Sequence, residues 1–246
     1  MKRPTFLLAA AVLLLAVSFG PLFVILREGW IDWIVKMRYS LHHAYIDEFG
    51  FEDIIDTQQL DIDGQTIRIE EEETGNQAPL TPWDREEKVP PGDIVNIHWF
   101  INNKEASTAD PIWLSNRQRG SRYFSWLDVV KVHDRLTGVD QVKIIQRLTD
   151  DNEMEQRKWK ILTIQEDKTT EETLTYEERH RNPLGVKLVN FSNTGLMAMG
   201  FHSDILQGFP SLFFPFLYPF FTALLGVILL ILALRLNKKT RKGRNI

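Results

Sequence analysis

Residues 205–234 read ILQGFPSLFFPFLYPFFTALLGVILLILAL, without one charged side chain, and are followed by Arg235, Lys238, Lys239, Arg241, Lys242 and Arg244. A helix needs about 20 apolar residues to cross the hydrocarbon core of a bilayer, so this stretch is long enough to span one even when tilted. Lysine and arginine gathered just beyond a span mark its cytoplasmic flank. Working outward, a second apolar run lies at residues 6–26, FLLAAAVLLLAVSFGPLFVIL, preceded by Lys2 and Arg3. An alternative for this run is a cleaved secretory signal, with Ala16-Val17-Ser18 as the small residues at the cleavage site. Its apolarity continues to Leu26, beyond the 7–15 residues usual for a signal, which favours a retained anchor.

The charges fit two spans with both ends inside. The chain has 29 Lys+Arg and 33 Asp+Glu; eight of the basic residues and none of the acids lie in the two tails, leaving residues 27–234 at a net −12. Basic residues beside a span resist translocation, whereas a long domain crosses largely regardless of its charge. Lys2, Arg3, Arg235, Lys238, Lys239, Arg241, Lys242 and Arg244 are therefore the topology-setting residues.

The expected organisation is a membrane-anchored α+β protein. A cytoplasmic tail at 1–5 and a transmembrane helix at 6–26 lead into an amphipathic juxtamembrane helix at 27–50. A β-rich extracytoplasmic domain covers 51–204, followed by a second transmembrane helix at 209–234 and a basic cytoplasmic tail at 235–246. The total absence of cysteine rules out thiol catalysis, iron–sulfur clusters and cysteine zinc sites, and leans toward the envelope of a bacterium, at its inner membrane.

In the juxtamembrane segment Trp30, Trp33, Ile34, Met37, Leu41, Ala44 and Tyr45 recur at spacings of three and four, one stripe of a helix. Trp30 and Trp33 lie close enough to the span to sit in the headgroup layer, where indole rings are favoured. The period then changes to two. Leu60, Ile62, Ile67 and Ile69 flank Asp63-Gly64, which predicts a β-hairpin. The stretch 74–92, with six Gly and Pro residues, reads as a loop, 94–101 as a strand and 104–110 as a polar loop. Residues 123–136 fit either a helix or a strand beginning at Val129; 139–148, 159–164, 173–176 and 186–191 read as strands. Short strands separated by turns make the sheet antiparallel.

The outer half of the second apolar run mixes aromatics with Pro210, Pro215 and Pro219. Proline inside a helix removes a backbone bond, so bends are expected at Pro215 and Pro219. Phe213, Phe214, Phe216 and Tyr218 are the candidate contacts to another membrane protein. Catalytic signatures are missing. No H-E-x-x-H, G-x-S-x-G, P-loop or dinucleotide fingerprint occurs, and adjacent His42 and His43 would diverge by about 100° on a helix. Residues 59–70 place acids and a glycine where a calcium loop has them, but Gln59 stands at the first position and the hairpin explains the same residues. No cofactor, metal or nucleic-acid partner is expected. The expected partners are the bilayer and other membrane proteins, for an accessory, scaffold or sensory subunit; the competing expectation is a membrane-tethered hydrolase or transferase acting on envelope polymers or lipids.

Overall fold

The structure, a computed structural model, describes residues 3–44, 59–80, 85–86, 88–114, 123, 125–149, 156–165, 168–194, 199, 213 and 216–242. The chain is α+β and divides into two compact units. One comprises residues 1–33 and 201–246, and the other residues 34–200.

The first unit is helical. Helix α1 runs unbroken over Arg3–Arg38, 36 residues with Pro21 inside. The other apolar run enters through an irregular wide turn at Phe216–Phe221, where Tyr218 is extended (φ −131°, ψ 127°) just before Pro219. The bend expected at Pro219 is therefore present, while Pro210 and Pro215 lie outside the described residues.

The described residues of the second unit form nine antiparallel strands: β1 (Tyr39–His43), β2 (Gln59–Ile62), β3 (Gln65–Gln77), β4 (Asp93–Ile101), β5 (Lys104–Trp113), β6 (Leu127–Asp134), β7 (Val139–Arg147), β8 (Lys158–Gln165) and β9 (Lys168–Thr175). They form a four-stranded sheet in the order β2-β3-β4-β5 and a five-stranded sheet in the order β1-β6-β7-β8-β9. Ile97, Trp99 and Ile112 of the smaller sheet share one apolar core with Leu127, Ile144 and Leu162 of the larger, so the sheets stack face to face. The other face of the larger sheet carries Val130, Ile145, Trp159 and Ile161. These pack beneath Val186, Leu188 and Val189 of a short helix, α2 (Pro183–Phe191). The larger sheet is thus covered on both faces. The last helix of the chain, α3, spans Thr222–Lys242 in the first unit.

Local chemistry accounts for the turns. Asp63 (φ 51°) and Gly64 (φ 80°) both adopt left-handed backbone, the pair a type I′ hairpin turn needs, and join β2 to β3 as expected. Asn102 and Asn103 do the same between β4 and β5.

Four expectations are corrected, and one choice left open is decided. The juxtamembrane helix stops at Arg38, and residues 39–43 are a strand. Leu41 belongs to the helical stripe but also fits a period of two with Tyr39, and pairing with β6 decides between them. Strand β3 runs past Glu73 to Gln77 through a bulge between Glu73 and Asn76, where Gly75 (φ 73°) takes the left-handed backbone. The polar segment 104–110 is part of edge strand β5, whose composition suits a strand with one inward face. Of the two alternatives left open for 123–136, the strand is the one present, over 127–134, because β-branched residues fill both covered faces. Finally, 186–191 lies in helix α2. Asn182 accepts from Gly185 N at 2.8 Å as its N-cap, and Pro183 opens the first turn. A side chain at Gly185 would begin 2.7 Å from Asn182 Nδ2, so glycine keeps that cap in place.

Candidate functional site

Among the described residues of the first unit, three contacts tie α1 to α3 and to the turn before it. Ser18 Oγ and Thr222 Oγ1 share a hydrogen bond of 2.6 Å, and Tyr218 Oη donates to Val17 O at 2.9 Å. One full turn toward the N-terminus of α1, Leu14 and Leu15 face Gly226; a Cβ at Gly226 would lie 2.9 Å from Leu15 Cγ. Contacts that retreat along α1 while advancing along α3 define an antiparallel pair. Ala11, Ser18 and Ala233 are buried, small residues of the kind that let apolar helices approach closely.

Most of the remaining helix surface is apolar and uncovered. Phe19, Phe23, Leu26, Phe221, Leu224 and Leu234 are each more than half exposed. Trp30 and Trp33 are 61% and 51% exposed with ring centroids 5.1 Å apart, so their shared face is open. Of the aromatic residues expected to meet a partner, Phe213 is exposed, whereas Tyr218 is half-buried and spends its hydroxyl on Val17. Arg235, Lys238 and Lys239 are exposed at the end of α3. Lys2, Phe214 and Arg244 lie outside the described residues, and for Arg3, Phe216, Arg241 and Lys242 only the backbone is described.

The sandwich holds a polar cluster that sequence reasoning missed. Lys160, 3% exposed, points from β8 into the space between the sheets. Its Nζ donates to Ser107 Oγ at 2.9 Å, pairs with Asp110 and lies 4.0 Å from Glu171 Oε1. Ser107 Oγ in turn donates to Glu171 Oε2 at 2.7 Å. Beside it Trp99 Nε1 donates to Gln146 Oε1 at 3.0 Å, a second polar link between the sheets. The signal was a lysine inside the apolar run Trp159–Ile164; its partners lie on β5 and β9, which no local pattern could supply. A lysine beside a serine hydroxyl is also an arrangement for nucleophilic catalysis. Here the ammonium faces two carboxylates and the hydroxyl is spent on one of them. The chemistry on offer is a cross-sheet clamp.

The histidines fall on separate surfaces. His42 and His43 lie on a strand, not a helix, and so project to opposite faces. His42 Nε2 shares a hydrogen bond with Ser40 Oγ at 3.0 Å, while His43 stacks on Phe191 and meets the fully buried Asp128. His98 projects from the outer face of β4 between Glu105 (2.9 Å) and Glu72 (3.6 Å), and the Glu105 carboxylate raises its pKa. Among the described residues no group of three or more His, Asp or Glu side chains is placed to hold a metal ion. The acids of 59–70 belong to the hairpin, where Asp61 accepts from Thr66 and Asp63 accepts from Lys131. Lys143, on the α2 side of the larger sheet, donates to Thr163 Oγ1 at 2.6 Å, and burial lowers its pKa.

At the head of β1, Arg38 grips Asp134 with Nε and Nη2, the shorter contact 2.7 Å, and Arg135 N donates to Arg38 O. The guanidinium, helped by Leu136 N, holds the Asp134 carboxyl down to about 2. A carboxyl with a depressed folded-state pKa adds stability above its unfolded value and loses it as pH falls through the folded one. Asp134→Asn should therefore lower the melting temperature at pH 7. The gap to the parent should close as pH falls from about 4 toward 2. Parallel thermal melts across that range check it; a gap independent of pH would refute the ion pair.

No protein-family model, curated protein or solved structure matches this chain.

Proposed function

We propose that the chain is a two-span membrane protein, with both termini in the cytoplasm and the sandwich on the far side, at the inner membrane of a bacterial cell. Its role on this reading is non-enzymatic: an accessory, scaffold or sensory subunit whose outer domain binds a partner and whose helices dock onto other membrane proteins. One observation carries the reading. Two helices of spanning length leave their apolar surface uncovered, with only 11% and 17% of their most apolar windows buried. A soluble core helix would be mostly covered by its own chain, and exposed apolar area of this extent calls for lipid or protein. The antiparallel contact of α1 with α3 supports placing the two basic ends on one side. Trp30 and Trp33, paired just beyond the apolar run, suit the headgroup layer.

Ser107 and Lys160 would suit the hydrolase reading by residue type, and they are engaged with Glu171 and Asp110.

Reporter fusions test the topology. An alkaline phosphatase fused after Ile246 should be inactive and one inserted after Leu80 active, and protease added to spheroplasts should digest residues 34–200. Phosphatase activity at residue 246, or a protected central domain, would overturn the arrangement. Purification in mild detergent should recover stoichiometric membrane proteins with a tagged copy.

A further inference from the structure

The two sheets have four edge strands, and three are poor templates for another strand. β2 has four residues, β1 has five, and β5 carries Pro111 and two register shifts. Short edges, prolines and bulges are the usual means of blocking edge-to-edge pairing. β9 has none of them. Its eight residues pair with β8 in unbroken register from Lys158 opposite Thr175 to Gln165 opposite Lys168, and it ends the five-stranded sheet. Among the described residues its backbone is thus paired on one side only, over about 27 Å. Four of the eight residues, Thr169, Thr170, Thr173 and Thr175, are threonines, which favour extended structure.

We propose that this free edge is a homodimer interface, where β9 of a second copy adds antiparallel to make a continuous ten-stranded sheet. The charges along KTTEETLT choose both the occupant and the register. With Thr170 opposite Thr170 of the second copy, residues 168–172 of the two strands overlap over about 17 Å, and Lys168 stands opposite Glu172 and Glu172 opposite Lys168, two opposite-charge pairs on one face. Directly opposed residues in such a pair have Cβ atoms about 5 Å apart, close enough for those charges to interact. Full overlap of the two strands would instead set Glu171 against Glu172, like charges that disfavour it. Lys168, Thr170 and Glu172 are exposed, and Glu172 also accepts from Asn182 Nδ2 at 3.1 Å. The pairing does not rest on the membrane reading, since it uses the sandwich alone.

The cysteine-free chain makes the test direct. Full-length Thr170→Cys, oxidised in membranes and again in detergent, should form a dimer of twice the chain mass. It should give roughly tenfold more dimer than Glu172→Cys, whose two copies would lie about 14 Å apart, beyond disulfide reach. Lys168→Glu added to Thr170→Cys should cut that yield, and Glu172→Lys added in turn should restore it, which also shows that the variants fold. Equal yields from the two cysteines, failure of the charge reversal to restore pairing, or a cross-linked band carrying a different protein would each overturn the proposal. A dimer in detergent as well as membranes keeps the result separate from topology.

Discussion

Replacing Trp99 by alanine should destabilise the sandwich by about 3–5 kcal/mol, the range for deleting a large aromatic from a close-packed core. Trp99 is fully buried, flanked in register by Ile69 on β3 and Ser107 on β5, and faces the larger sheet. Its removal forfeits apolar burial, opens a cavity between two sheets that cannot easily close, and leaves Gln146 Oε1 without its donor. Trp99→Phe keeps most of the volume and loses the hydrogen bond, so a cost of about 1–2 kcal/mol is expected. Typical domains have only about 5–15 kcal/mol in hand, so the alanine variant should approach loss of its cooperative transition. Denaturant melts of the full chain in micelles, followed by near-ultraviolet circular dichroism, measure both. An alanine variant within about 1 kcal/mol of the parent would contradict the shared core.

Lys160→Met should be almost as damaging, for a different reason. Methionine fills the space, but Asp110 and Glu171 then face each other without a cation, and Ser107 loses a donor. Breaking a buried ion pair from one side costs about 3–5 kcal/mol, and the partial exposure of both carboxylates brings the expectation to about 2–3. Adding Asp110→Asn to Lys160→Met should recover part of the loss, because the residual charge is removed along with its partner. The four melting curves of that double-mutant cycle give the coupling directly. Strictly additive effects would show that Lys160 and Asp110 do not depend on each other.

The sequence disclosed elements wherever one local rule acted alone. The apolar runs were visible from length and charge, the β2–β3 hairpin from Asp63-Gly64, and strand β4 from the alternation that buries Val95, Ile97, Trp99 and Ile101. It misled where two rules met. Leu41 suits either period, and only pairing with β6 makes 39–43 a strand. Val186, Val189 and Phe191 look extended by composition, yet the Asn182-Pro183 start outweighs β-branching over a nine-residue helix. Polar β5 resembled a loop because an edge strand needs apolar residues on one face only. The Lys160 cluster was hidden altogether, since Ser107 on β5 lies 53 positions from Lys160 and 64 from Glu171.

The strand order of the larger sheet has a kinetic side. β1 lies beside β6, so Arg38 and Asp134 meet across 96 positions. The hairpins β2–β3, β6–β7 and β8–β9 can each close as soon as their own residues emerge, whereas the segment directly after α1 must wait for its neighbour to be synthesised. Closure of a long loop is entropically costly and slow. The N-terminal helix would therefore reach its final environment first, and the sheet would be completed last at the strand nearest to it.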